Sequence, residues 1–140
     1  MAKGVGYQIK FEDNSDVFKA DYKRKKMKMT WALGLKWQEL ATKIITANRI
    51  VDTGRLRASL SFVTPYKSSG ENQFAPKPEN AKNTDRLRGT SGEQNIVIVG
   101  SNVEYAAKQE LNNPKGSFVK PAIMNYRDAY KNLLEQIMKE

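Results

Sequence analysis

The chain has 140 residues, no cysteine, no histidine and a net charge of +9, from 24 Lys/Arg against 15 Asp/Glu. This length favours a single domain, residues 1–140, that can bury a core without a disulfide or a metal. Without cysteine there is no disulfide framework, thiolate zinc site or Cys nucleophile. Without histidine there is no Ser-His-Asp catalysis and no His-ligated zinc. The composition therefore favours a binding or structural role over an enzyme, and predicts no metal and no other cofactor.

Apolar runs in the chain are short. The longest strongly apolar run covers residues 96–99, whereas a transmembrane helix needs roughly 20 such residues. Residues 1–4 lack the apolar core of a signal peptide. We expect a protein that is made and kept in the cytoplasm and has no membrane partner.

The first predicted element is a β-strand over residues 5–11. In this stretch apolar residues alternate with small or polar ones, which is the pattern of a half-buried strand: Val5, Tyr7, Ile9 and Phe11. A turn cluster follows, in which Asn14 or Ser15 is predicted to cap a helix that begins near Asp16.

A long amphipathic helix is predicted over residues 16–48. This stretch contains no proline and one glycine, Gly34, and its apolar residues recur every three or four positions. At about 1.5 Å per residue, some 30 helical residues would extend ~45 Å. Gly34 indicates either a close approach or a bend. Trp31 and Trp37 are more typical of core or subunit contacts than of a ligand platform.

Positive charge is concentrated in this helix. The first fifty residues hold 11 Lys/Arg against 5 Asp/Glu, which is six of the nine net charges. The densest run consists of Lys23, Arg24, Lys25, Lys26 and Lys28. One interpretation is a nucleic-acid-binding face that meets phosphates. The other is a solvated face or a site for an acidic protein partner, which is favoured because no aromatic residues are interleaved for base stacking.

Residues 52–65 predict a short helix and a strand. Asp52 or Thr53 can cap a helix over residues 54–58, and a strand over residues 60–64 ends at Pro65.

Asp52, Thr53 and Gly54 also form the triplet of aspartic proteases, in which two aspartates share a proton. Here the triplet follows a long helix, and Arg55 and Arg57 would keep the carboxylate ionised. A capping role is therefore favoured over catalysis. Glu104 and Glu110 stand six residues apart and do not share a helix face well, so they predict no catalytic carboxylate pair.

The second half of the chain begins with a long loop, residues 67–94, rich in Pro, Ser and Asn. A loop of this length is usually functional or mobile. Within it, residues 84–89 echo residues 53–57, but the match is too short to indicate a repeat.

The remaining elements are a β-branched strand over residues 95–100, a short helix over 103–111, and a final helix with Pro121 in its first turn. The predicted fold is α+β, in which a long N-terminal helix and a C-terminal helix pack on a small, mostly antiparallel sheet.

Three segments of the chain resemble motifs of a tailed-bacteriophage family, variously termed minor capsid, head–tail joining, neck or tail-completion proteins. The first segment, residues 51–60, contains Asp52, Thr53, Gly54, Arg55, Leu56, Arg57 and Ser59. The second, residues 99–106, contains Val99, Gly100, Asn102, Tyr105 and Ala106. The third, residues 118–122, contains Phe118 and Pro121. The family often places a Glu-aromatic-Gly-Thr turn after its Tyr-Ala pair, where this chain has Glu-Leu-Asn-Asn at residues 110–113.

The resemblance implies a structural virion protein at the junction of head and tail. Its expected partners are copies of itself in a ring, the portal or connector, and tail-tube or tail-terminator proteins, with passing DNA as a further contact. It would reside in the virion, and in the host bacterial cytoplasm during assembly. Arg55 and Arg57 are then expected to pair with acidic groups on a neighbour. The strand at 95–100 and the loop at 67–94 are expected to bridge subunits through an exposed edge.

Overall fold

The computed structural model describes residues 4–10, 19–48, 53–71, 85–93, 95–112 and 117–140. The strands are β1 (Val5–Lys10), β2 (Ser61–Val63) and β3 (Ile96–Ser101). The helices are α1 (Lys19–Ala47), α2 (Thr53–Ser59), α3 (Ala106–Asn112), α4 (Val119–Met124) and α5 (Arg127–Met138), and a 3₁₀ turn spans Ser69–Glu71. This is the predicted α+β fold, with a long N-terminal helix, a C-terminal helix and a small antiparallel sheet.

The sheet has three strands in the order β1-β3-β2, and both pairings are antiparallel. Val99 at the centre of β3 faces Tyr7 on one side and Phe62 on the other. The strand predicted at 95–100 is thus present, but it lies in the middle of the sheet. The expected exposed edge is absent where these strands pair, because β1 pairs with residues 96–101 on one side and β2 pairs with residues 98–100 on the other.

Helix α1 packs on the sheet and on the C-terminal helices through one apolar face. Its buried residues on this face are Met29, Leu33, Trp37, Leu40, Ala41 and Ile45. Trp37 is fully buried, and its indole Nε1 donates a hydrogen bond to the Val119 carbonyl (3.3 Å). Trp31 is half-buried and meets the Phe62 ring edge to face, with centroids 4.7 Å apart. These contacts confirm the core interpretation of the two tryptophans.

Gly34 marks a close approach between α1 and the sheet. A β-carbon built at this position would overlap the ring of Phe62, which is itself fully buried. Glycine therefore costs the helix some intrinsic stability, about 1 kcal/mol relative to alanine, but it brings the helix backbone onto strand β2. Of the two meanings that the sequence leaves open, the structure selects close approach.

The final helix is divided, contrary to the prediction of one helix from Pro121 to the C-terminus. Helix α4 ends at Met124, and α5 begins at Arg127 after a non-helical Tyr126 (φ −127°, ψ 29°). The break lets the Tyr130 hydroxyl donate to the Ala122 carbonyl (2.6 Å), a group that would accept from residue 126 in a continuous helix. Tyr126, at this break, is exposed.

The other predicted elements are confirmed to within a few residues, and several predicted details lie outside the described residues. The latter are Phe11, the caps at Asn14 and Ser15, the helix start near Asp16, and the Asp52 cap. The described parts of the predicted 67–94 loop pack against the sheet. Ser68 forms a β-bridge with Val63, and the Ser91 amide donates to the Thr64 carbonyl (3.0 Å). In the described part of the chain, no helix is both long and apolar enough to cross a membrane.

The close approach at Gly34 predicts that Gly34→Ala destabilises the protein. The added methyl must displace the Phe62 ring, and overpacking of this kind costs about 1–3 kcal/mol, more than the ~1 kcal/mol gained in helix propensity. Urea unfolding of the purified variant measures the change in the free energy of unfolding. The control is the same Gly34→Ala change made in a Phe62→Leu protein. There the ring is absent, so the alanine should leave the free energy of unfolding unchanged or raise it. An alanine that stabilises the otherwise unchanged protein would refute the close approach.

Candidate functional site

The first two motif segments are joined by buried hydroxyl groups. Ser59 at the end of α2 and Ser101 at the end of β3 are fully buried, and their Oγ atoms lie 2.6 Å apart. Ser59 donates its proton to the Leu56 carbonyl (2.6 Å), so the proton between the two serines belongs to Ser101. Ser101 Oγ in turn accepts from the Val103 amide (3.1 Å). This chain of hydrogen bonds fixes α2 against the end of the central strand.

Arg55 stands at the centre of an ion cluster. Its Nε and Nη2 donate to the two carboxylate oxygens of Asp85, both at 3.1 Å. Nη1 and Nη2 also donate to the two oxygens of Glu104, at 2.9 and 3.0 Å. The Asp85 side chain is only 5% exposed and that of Glu104 is 51% exposed. The Arg55 guanidinium also lies 5.9 Å from the centre of the Tyr105 ring.

The ion pairs of the cluster shift the pKa values of their own members. Hydrogen bonds to Asp85, and then to Glu104, raise the pKa of Arg55 above its usual value. The hydrogen bond from Arg55 holds the pKa of Glu104 below that of an ordinary glutamate. Arg55 and Glu104 therefore stay charged at neutral pH and do not exchange protons. The expectation that Arg55 pairs with acids of a neighbour has to be revised, because its donors already bind two carboxylates of its own chain.

The residues that follow Asp85 tie both motif segments together. The Arg86 guanidinium donates to the Ala58 carbonyl (2.9 Å), next to Ser59. The Asn102 amide donates to the Asp85 carbonyl (2.7 Å), and the Asn102 side chain donates to the Arg86 carbonyl (2.9 Å). Residues 85 and 86 belong to the stretch that echoes residues 53–57, and sequence reasoning assigned them no role.

Glu110 holds the third motif segment. Its carboxylate accepts hydrogen bonds from three consecutive backbone amides at the start of α4: Phe118 (2.7 Å), Val119 (2.9 Å) and Lys120 (2.8 Å). A negative group here satisfies amides that lack intrahelical partners and faces the positive end of the helix dipole. The Glu110 side chain is buried. Sequence reasoning set this residue aside because it was weighed only as one of a pair of carboxylates.

The remaining motif residues lie mostly in the core or beside it. Leu56, Val99, Ala106 and Phe118 are buried in the core. Gly100 lies so close to β1 that a β-carbon there would overlap the Val5 carbonyl. Gly54 and the half-buried Pro121 lie in the first turns of α2 and α4. Arg57 is exposed and donates to the Thr46 hydroxyl (3.1 Å). Thr53 is the first residue of α2, and its capping group lies outside the described side chains.

The basic run of α1 is largely paired within the chain. Arg24 Nη2 lies 2.9 Å from Asp21 Oδ1. Lys25 Nζ donates to the Met138 carbonyl of α5 (3.3 Å), and Lys28 forms an ion pair with Glu140.

The other two lysines of this run differ from each other. Lys26 is buried, with its Nζ 5.4 Å from the centre of the Tyr22 ring. Lys23 is exposed and has no ion-pair partner among the described residues. Of the five basic residues, Lys25 and Lys28 therefore join α1 to the C-terminal end of the chain, whereas Arg24 pairs within α1, so the run does not form one open basic face.

The described residues contain an open groove but no cluster of metal-binding side chains. No group of three or more acidic side chains there could hold a metal ion. An open groove of about 370 Å³ runs between the end of α1 and the α4–α5 corner, lined among others by Lys43, Ile44, Pro121 and Tyr126. Its lining does not include Arg55, Asp85 or Glu104. The ion cluster around Arg55 is therefore not part of this groove.

No protein-family model, curated protein or solved structure matches the chain.

The buried ion pair between Arg55 and Asp85 predicts that Asp85→Asn lowers the stability of the protein substantially. The change leaves the Arg55 guanidinium, 17% exposed, without its buried carboxylate, and the free energy of unfolding should fall by about 2 kcal/mol. A double-mutant cycle with Arg55→Lys measures the coupling by urea unfolding. Arg57→Lys, an exposed arginine on the same helix, is the matched control and should change stability by less than ~0.5 kcal/mol. Equal effects of the two arginine substitutions would contradict the structural role of the cluster.

Because Glu110 caps α4, we predict that Glu110→Ala destabilises the start of this helix more than the rest of the fold. Three amides, two of them in buried hydrogen bonds, lose their acceptor, which should cost about 2–3 kcal/mol. Amide hydrogen exchange at residues 118–120 should accelerate more than exchange in β3. Glu110→Gln, which keeps one acceptor oxygen, should have a smaller effect, and Glu135→Ala on the exposed side of α5 serves as the control. Unchanged exchange at residues 118–120 would rule out the cap.

Proposed function

We propose that this chain is a structural virion protein of the head–tail connection of a tailed bacteriophage. It would assemble with copies of itself into a ring between the portal or connector and the tail. The observation that carries the proposal is the convergence of all three motif segments. Ser59–Ser101 and Arg55–Glu104 join the first to the second, and Glu110, which follows the second in α3, binds the start of the third.

The use of the polar motif side chains supports a structural role. Arg55, Ser59 and Asn102 all bind groups of their own chain and thereby fix the ends of α2 and β3. None of these three side chains lines the groove beside α4, and the shifted pKa values of Arg55 and Glu104 keep both groups charged at neutral pH. Such an arrangement keeps the backbone in one geometry, which suits a subunit that must fit identical neighbours.

Contacts with partners are then left to the outer surface. Several large apolar side chains are exposed there, and aromatic residues and methionine are enriched in protein interfaces. They are Met27, Leu35, Leu111, Met124, Tyr126 and Met138. The alternative, a dedicated nucleic-acid-binding face over residues 23–28, receives less support, because Arg24, Lys25 and Lys28 have partners within the chain.

The proposal predicts that the protein is needed to join heads to tails. In the phage or prophage genome that encodes the chain, an in-frame deletion should leave filled heads and separate tails, visible by negative-stain electron microscopy. Supplying the wild-type gene in trans should restore the plaque titre, whereas an empty vector should not. Mass spectrometry of purified particles should detect the chain in several copies per tailed virion.

Two outcomes would count against this role. The first is a deletion strain that yields normal tailed particles at an unchanged titre. The second is a chain that is absent from particles but binds duplex DNA with an affinity that falls steeply with salt. If Lys23→Glu combined with Arg24→Glu abolished that binding, the nucleic-acid-binding alternative would replace the proposal.

A further inference from the structure

Strand β1 presents an open edge. It pairs with β3 on one side over its whole length, Val5 to Lys10. In the described parts of the chain, its hydrogen bonds all belong to this ladder. In an antiparallel strand, alternate residues direct their N–H and C=O groups to opposite sides. Half of the residues of β1 therefore offer unpaired backbone groups on the outer side.

The side chains of β1 do little to protect this edge. Val5, Tyr7 and Ile9 are half-buried and lie against the core, while Gly6 and Gln8 are exposed on the other face. Natural sheets block edge strands with proline, bulges or inward charges. Strand β1 has no proline, and its single charged residue, Lys10, stands at its end. A further strand would complete the burial of its three apolar side chains.

The opposite edge of the sheet is closed by the chain itself. The Phe62 amide donates to Ser69 Oγ (2.9 Å), and the same hydroxyl donates to the Phe62 carbonyl (3.2 Å). Val63 forms a β-bridge with Ser68, and the Thr64 amide donates to the Lys67 carbonyl (2.8 Å). A second copy therefore cannot extend the sheet by placing its β1 against β2. The edge that remains open to a copy of this chain is β1.

We propose that β1 pairs antiparallel with β1 of a second copy, centred on Tyr7, to form one six-stranded sheet. In this register Tyr7 faces Tyr7 of the other copy, and Val5 faces Ile9 twice. Register must keep apolar residues on one face, and this register gives three apolar pairs. Within Val5–Lys10, centring on Gln8 would give two such pairs and would place Lys10 opposite Gly6. The contact is isologous, since the same surface serves both copies.

This pairing is independent of the proposed ring. Subunits of a cyclic ring with more than two members meet through heterologous contacts, whereas the β1 pair has two-fold symmetry. The net charge of +9 on each chain opposes association, so added salt should strengthen the pair by screening that repulsion. Binding to DNA would respond to salt in the opposite direction.

The absence of native cysteine makes a cross-linking test direct. In the proposed register, the two Cα atoms at position 7 lie about 4.5–5.5 Å apart, within the range that a disulfide bridges. The two Cα atoms at position 8 are diagonal neighbours about 7–8 Å apart, beyond that range. After mild oxidation of the purified full chain, Tyr7→Cys should form covalent dimers on non-reducing gels at least tenfold faster than Gln8→Cys.

A second pair of variants retains Tyr7 in case its loss unfolds the protein. A mixture of Val5→Cys and Ile9→Cys chains should cross-link as the heterodimer, and much more slowly when each variant is oxidised alone. Circular dichroism checks the fold of each variant. In sedimentation velocity, the wild-type chain should shift towards a dimer with increasing concentration and with added salt.

The inference fails if position 8 cross-links as fast as position 7. It also fails if no cysteine pair cross-links and the wild-type chain sediments as a monomer at every concentration. These outcomes leave the particle experiment untouched. Conversely, a chain that is absent from virions but cross-links through Tyr7→Cys would overturn the proposed function and retain the β1 pairing.

Discussion

Helix α1 can cross the sheet only because position 34 has no side chain. The Phe62 ring occupies the space that a β-carbon would need there, and it also packs against Trp31. Strand β2 is thereby held under the helix, β2 is paired to β3, and β3 to β1. Helix α2, which carries Arg55, lies between α1 and β2 in the chain, so this approach fixes the two elements that flank it. A larger residue at position 34 would have to displace the Phe62 ring from its place between the helix and the sheet.

Three carboxylates hold the three motif segments in fixed positions relative to one another. Asp85 and Glu104 share the Arg55 guanidinium, and Glu110 accepts from three amides of α4. Asp85 and Glu104 bind Arg55 from 30 and 49 residues away in the sequence, and Glu110 connects α3 to α4. Paired in this way, a buried carboxylate contributes less to net stability than to uniqueness of geometry, because its desolvation offsets much of the Coulombic gain. The large cost arises when one partner is removed and the other charge stays buried.

The fold follows from the sequence further than the site does. Periodicity and turn residues place α1, α2, β1 and β3 within a few residues, because each pattern is local. The partner of Arg55 could not be predicted in this way, since Asp85 lies 30 residues away in a stretch without periodicity. The Glu110 cap was equally hidden, because its partners are backbone amides that leave no mark in the sequence. The central position of β3 did have a signal, since a continuous run of β-branched residues is typical of a strand that is buried on both faces.

Two surface features could bind a partner: the basic run of α1 and the open edge of strand β1. The basic run of α1, the most conspicuous feature of the composition, is mostly used within the chain, through Asp21, the Met138 carbonyl and Glu140. Exposed ion pairs of this kind contribute little to stability, but they lower the field that an approaching phosphate or acidic protein would meet. Strand β1 differs in both respects: it has one charged residue, and within the described part of the chain its backbone groups on the outer side have no partner. Hydrogen bonds from such an edge are directional and demand a partner of matching length. Under the proposed β1 pairing, recognition by this chain would depend more on the shape of an open strand than on its net charge of +9.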